Sequence, residues 1–92
     1  MDTDELKSKI VRYLARNGVT GGHNKTVETV TNRAGVPTHA QGDAEAAIRE
    51  LVRDPNAPVV AYGGHRDAIT LTSINDAVEF IERHGGDVPF GL

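Results

Sequence analysis

Apolar residues recur at helical spacing in the first, middle and last parts of this chain. Between the middle and last parts, two short stretches are continuously rich in apolar and β-branched residues. The first pattern is Leu6, Ile10, Val11 and Leu14, an i, i+4, i+5, i+8 stripe. It predicts a helix over about residues 3–16 with one buried face. Acidic residues in the first turn and an Asn-Gly pair after the last turn fit the start and the stop of a helix.

The middle of the chain predicts two short helices joined by a tight turn. Thr26 caps the first helix, and the Gly-Val-Pro segment at 35–37 ends its apolar pattern. Thr38 and Gln41 have the spacing of a capping box, which predicts that the second helix begins there and ends near Arg53. The apolar positions are Val27, Val30, Thr31 and Ala34 in the first helix, and Ala44, Ala47, Ile48, Leu51 and Val52 in the second.

Two stretches rich in β-branched residues, 59–62 and 68–72, predict a pair of strands. The five residues between them, 63–67, have the length of a hairpin loop. Within the glycine-rich loop 18–25, Val-Thr at 19–20 predicts a further short edge strand.

Ser73, with Asp76 three residues later, predicts the start of a last helix. Its apolar face is formed by Ile74, Ala77, Val78 and Ile81. Phe80 is expected beside that face, at the edge of the core. We expect one domain over residues 1–84 and a flexible C-terminal tail over 85–92.

Composition narrows the range of functions. The chain of 92 residues has no cysteine, which excludes disulfides, thiolate zinc sites and a cysteine nucleophile. Only four residues are aromatic, so a platform for stacking single-stranded bases is not expected. No apolar run approaches the roughly 20 residues that span a bilayer, and the acidic N-terminus lacks the features of a signal peptide. We therefore expect a cytoplasmic protein.

Charge is unevenly distributed along the chain. The formal net charge is −3, with 10 basic against 13 acidic residues. Residues 1–35 carry +2 and residues 73–92 carry −3, so the acidity is concentrated away from the paired helices. Lysine is scarce relative to arginine. This composition is typical of proteins from salt-loving organisms and favours an origin in a halophilic archaeon. The net negative charge argues against a strongly basic nucleic-acid binder and predicts modest affinity for DNA at moderate salt.

The predicted order of helix, helix, helix, hairpin and helix resembles the winged-helix (winged helix-turn-helix) family of bacterial and archaeal transcription regulators. The most specific parts are the segment from Thr26 to Pro37 and the hairpin directly after the third helix. The resemblance implies an α+β, mostly helical fold. It would have a three-helix helix-turn-helix core, a β-hairpin wing and a C-terminal helix. It further implies binding of double-stranded DNA, with the third helix in the major groove and the wing on backbone or minor groove.

Under that resemblance, exposed residues at the start of the third helix would contact bases. The candidates there are Thr38, His39, Gln41 and Glu45. Lys25 and Arg33 beside the second helix, and His65 and Arg66 at the hairpin tip, would contact phosphates or the minor groove. The alternative for Thr38 and Gln41 is that they only cap the helix, and for the charged residues that they are ordinary solvated side chains.

Other classes of function have weaker support. The Gly-rich segment 21–26 lacks the Gly-Lys pair of a phosphate loop, the four histidines lack metal-ligand spacing, and no nucleophile motif is present. We therefore expect no enzyme, metal or cofactor. A winged helix that binds a protein instead of DNA remains the alternative, because the third helix is acidic at Asp43, Glu45 and Glu50. A homodimer through Ile74, Phe80 and Ile81 of the last helix is a further expectation.

Overall fold

The fold is known from a computed structural model, which describes residues 3–63 and 67–84. In this part of the chain the helices are α1 (Thr3–Arg16), α2 (Val27–Arg33), α3 (Gln41–Arg53) and α4 (Ile74–Arg83). The strands are β1 (Lys25–Thr26), β2 (Val59–Ala61) and β3 (Ala68–Leu71). The predicted α+β class with mostly helical content is confirmed. The predicted bounds of α1, α2, α4 and the two hairpin strands agree with the structure to within about a residue, whereas α3 begins three residues after the predicted start at Thr38.

The three strands form one antiparallel sheet with β3 in the middle. On one side of β3, Val59 of β2 pairs with Leu71 and Ala61 pairs with Ile69. On the other side, Lys25 of β1 also pairs with Ile69. The sequence did not predict β1, which directly precedes α2 and therefore fixes where that helix starts on the sheet.

The core lies where α1 packs against α3 and α4, with β3 closing one side. The predicted face of α1 is confirmed, since Leu6, Ile10, Val11 and Leu14 are all buried. Other fully buried large side chains are Ile48, Leu51, Ile69, Leu71 and Ile81. Burying these aliphatic side chains is the main force that holds the helices on the sheet.

The turn between α2 and α3 changes the direction of the chain, so the two helices pack against each other rather than forming one rod. Gly35 in this turn has φ +79°, a backbone conformation that residues with a Cβ rarely adopt. The predicted break at 35–37 is confirmed, and the positive φ explains why the residue at position 35 is glycine.

The two predicted Thr and Ser caps at Thr26 and Ser73 are confirmed. Thr26 Oγ1 accepts a hydrogen bond from the Thr29 amide at 3.1 Å, and Ser73 Oγ accepts one from the Asp76 amide at 3.0 Å. The predicted capping box at Thr38 is wrong. Residues Thr38–Ala40 form a 3-10 turn, and α3 begins after it without a side-chain cap.

Two smaller predictions also need correction. Phe80 is 3% exposed and belongs to the core, rather than lying beside the apolar face of α4. The predicted edge strand at 19–20 is reduced to an isolated parallel bridge between Thr20 and Leu71, in which the Leu71 amide donates to the Val19 carbonyl at 2.9 Å. The predicted tail over 85–92 lies outside the described residues.

Candidate nucleic-acid interface

One line of exposed positions on α3 carries small and basic side chains, and the exposed acidic residues Asp43, Glu45 and Glu50 flank it. Gly42, Ala46, Arg49 and Arg53 are four, three and four residues apart, so they follow one another along the same side of the helix. All four are exposed, and the opposite side of α3 packs into the core. We call these four residues the α3 stripe. Its arginines were not among the predicted DNA contacts, although their helical spacing was visible in the sequence.

Glu45 lies beside the α3 stripe and pairs with one of its arginines. The Arg49 Nη2 atom donates to Glu45 Oε1 at 3.3 Å, and the two side chains are 67% and 50% exposed. Pairs that are this exposed contribute little to folding, because water screens them. Arg49 can therefore exchange this carboxylate for another anion at small cost.

The start of α3 faces a groove of about 660 Å³ that lies against the start of α2. Its described lining includes the carboxylates of Glu28, Glu45 and Asp67 and no basic side chain. Asp67 is held there because its carbonyl oxygen accepts a hydrogen bond from the Val27 amide at 2.7 Å. We call this the acidic groove. Gln41 also lines it, as does Gly42 of the α3 stripe. The structure thus brings together two predicted base contacts, Gln41 and Glu45, in surroundings that repel phosphate.

The other predicted DNA contacts lie outside the acidic groove. Thr38 and His39 are exposed in the 3-10 turn before α3. Lys25 is half-buried in β1, and Arg33, at the end of α2, lines a groove with α1 instead of α3. His65 and Arg66 lie outside the described residues, so their predicted role at the hairpin tip stays a prediction.

The groove that contains Arg33 is strongly basic. It has a volume of about 430 Å³ and lies between the second half of α1 and the turn after α2. Four basic side chains line it: Lys9, Arg12, Arg16 and Arg33. Tyr13 and Asn17 of α1 complete one wall, and no carboxylate lines the groove. We call this the α1 groove. Of its four cations, only Arg33 is among the predicted DNA contacts.

A third groove, of about 360 Å³, lies between α3 and the sheet and has an apolar floor. The floor is formed by Val27, Ile48, Val52, Ala61 and Ile69. Arg49 and Arg53 of the α3 stripe line this groove as well. Glu45 and Asp67 border both this groove and the acidic groove, so the two adjoin each other.

Among residues 3–63 and 67–84, no three or more His, Asp or Glu side chains are gathered in a way that could hold a metal ion. No helix in the same ranges has the length and hydropathy that crossing a bilayer requires. Comparison of the chain with protein-family models, with curated proteins and with solved structures found no match.

Proposed function

We propose that this chain is a winged-helix domain that binds double-stranded DNA through the α3 stripe, as a small transcriptional regulator without catalytic activity. The order of the elements supports the proposal, because two helices joined by a tight turn are followed directly by a hairpin. In the family that the sequence resembles, the second helix of such a pair enters the major groove.

The α3 stripe is the observation that carries this proposal. The major groove is about 12 Å wide and admits a helix, and small side chains facing its floor allow the helix backbone to approach closely. Gly42 and Ala46 leave that room in the first two turns of α3. Arg49 and Arg53 follow on the same side, and guanidinium groups bind guanine edges and phosphates through paired hydrogen bonds.

Gly42 supports the same conclusion in another way. A Cβ added at this position would meet nothing within 4 Å, and the residue has no positive φ. A glycine inside a helix costs about 0.5–1 kcal/mol relative to alanine. The fold itself therefore gives no reason for this glycine, whereas close approach of a partner to the helix would.

The direct test is titration of ¹⁵N-labelled protein with a pool of random-sequence duplexes at low salt. We expect saturable amide shifts centred on Gly42, Ala46, Arg49 and Arg53. Selection of the bound duplexes from the pool then shows whether sequence is read. The absence of any shift over 41–53 at low salt would contradict DNA binding by α3.

A second candidate function is docking of a basic protein segment on the acidic groove and the apolar groove that continues it. Glu28, Glu45 and Asp67 line the acidic groove. Glu45 and Asp67 also border the apolar floor, with Arg49 and Arg53 on its α3 side. Such a surface suits an amphipathic segment with lysine or arginine on one side and aliphatic residues on the other. A basic amphipathic peptide that binds at these carboxylates, while duplex DNA does not bind α3, would favour this candidate.

The expected homodimer needs a different surface from the one predicted. Phe80 and Ile81 are buried inside the protomer, and only Ile74 of the three predicted residues is partly exposed. A pair of protomers that meets at α4 would therefore use the outer side of this helix, where Glu79, Glu82 and Arg83 are exposed.

A further inference from the structure

The α1 groove is the strongest feature that the proposed function leaves unused. Lys9, Arg12 and Arg16 lie on one side of α1, and Arg33 comes from the end of α2. None of these four side chains forms an ion pair with a carboxylate of the described residues. All four belong to residues 1–35, the part of the chain that carries +2 although the whole chain carries −3.

The fold alone does not account for this cluster. Lys9 with Arg12, and Arg12 with Arg16, are like-charged neighbours on a helix surface, which slightly destabilises the helix. The negative C-terminal ends of α1 and α2 favour Arg16 and Arg33. That effect does not reach Lys9 and Arg12, which lie earlier in α1. An external anion would offset the repulsion among all four.

The size and lining of the groove indicate which anion fits. Its volume of about 430 Å³ is in the range of small-molecule sites, which are about 300–1,000 Å³. Three guanidinium groups supply paired donors for phosphate oxygens. Tyr13 is half-buried against the core and offers an aromatic ring beside them. The Asn17 side-chain amide donates to the Tyr13 carbonyl at 2.8 Å and so secures the end of α1.

We propose that the α1 groove binds a phosphorylated small molecule of nucleotide size. Arg12, Arg16 and Arg33 would hold the phosphates together with Lys9, and the Tyr13 ring would contact the base or another planar group. The groove is lined by α1 and the turn after α2, and none of its residues belongs to the α3 stripe. The proposal therefore goes beyond DNA binding and does not depend on it.

The test is titration of ¹⁵N-labelled protein with ATP and, separately, with inorganic pyrophosphate. We expect saturable shifts of amides in 9–17 and 33–35. Replacing Arg12→Gln together with Arg16→Gln should weaken both ligands by at least about tenfold, because charge-assisted hydrogen bonds are lost. The matched control, Arg49→Gln with Arg53→Gln, removes the same charge from α3 and should leave both affinities unchanged. Tyr13→Leu should weaken ATP but not pyrophosphate.

Three results would overturn the proposal. The first is a titration of the unmodified protein that does not saturate or that shifts α3 as strongly as α1. The second is equal loss of ATP binding in the α1 and α3 double variants. The third is a loss of duplex binding in the α1 variant while neither small ligand binds the unmodified protein. That last result would assign the groove to the backbone of a nucleic acid.

Discussion

The Arg49 guanidinium lies 3.3 Å from the Glu45 carboxylate, one helical turn earlier on the exposed side of α3. The pair places a negative charge beside the surface that we propose enters the major groove. It also occupies one of the two arginines of the α3 stripe. DNA binding must therefore redirect Arg49 and bring Glu45 close to phosphates, and both effects reduce affinity.

Glu45→Gln should strengthen duplex binding, by about threefold to tenfold at low salt, because it releases Arg49 and removes a repulsive charge. Fluorescence anisotropy with a labelled duplex measures this change. Glu79→Gln on α4 removes the same charge elsewhere and should have little effect. If a basic protein segment is the partner instead, Glu45→Gln should weaken its binding, so the sign of the effect separates the two candidate functions.

Gly42→Ala should raise the free energy of unfolding by about 0.5–1 kcal/mol, because the glycine has no conformational or packing role in the fold. Urea unfolding measures this gain. Gly42→Met keeps a good helix former but adds bulk, and it should weaken duplex binding without loss of stability. Unchanged DNA binding by the Met variant would show that α3 does not approach DNA at this position.

The helix caps give a stability test within one protein. Ser73→Ala removes a cap that accepts from the Asp76 amide at 3.0 Å, and it should cost about 1 kcal/mol of unfolding free energy. Thr38→Ala should be nearly neutral, because Thr38 makes no cap hydrogen bond. Equal losses in the two variants would mean that α3 is capped by Thr38 in solution.

Most of the fold could be predicted because its determinants are local. The apolar face of α1 and the side-chain caps at Thr26 and Ser73 depend on residues a few positions apart. The strand β1 could not be found in this way. It is two residues long, Lys25–Thr26, has no apolar alternation and exists through its pairing with β3.

The position of Phe80 also depends on tertiary packing. The sequence predicts one narrow apolar face on α4, but the helix packs against both α1 and β3, so a wider arc of its surface is buried. The α1 groove is similar. The helical spacing of its cations on α1 is visible in the sequence, whereas the approach of Arg33 from another helix is not.

Ser8 offers a test of the core. Its hydroxyl is buried in α1 and has no hydrogen-bond partner in the described part of the protein. Because burying an unpaired hydroxyl is unfavourable and alanine is a better helix former, Ser8→Ala should gain about 1 kcal/mol. For a domain of this size the melting temperature should rise by about 4–8 °C. A fall instead would show that the hydroxyl makes a stabilising contact.

The most direct test of DNA binding by α3 is the duplex affinity of the Arg49→Gln and Arg53→Gln double variant. It should be measured beside Arg83→Gln, a charge removal on α4, with unaltered far-UV circular dichroism in both. We expect the double variant to bind the selected duplex at least about tenfold more weakly, since guanidinium contacts to bases and phosphates are lost, while Arg83→Gln binds almost normally. Equal affinity of the double variant and the unmodified protein would contradict DNA binding by the α3 stripe.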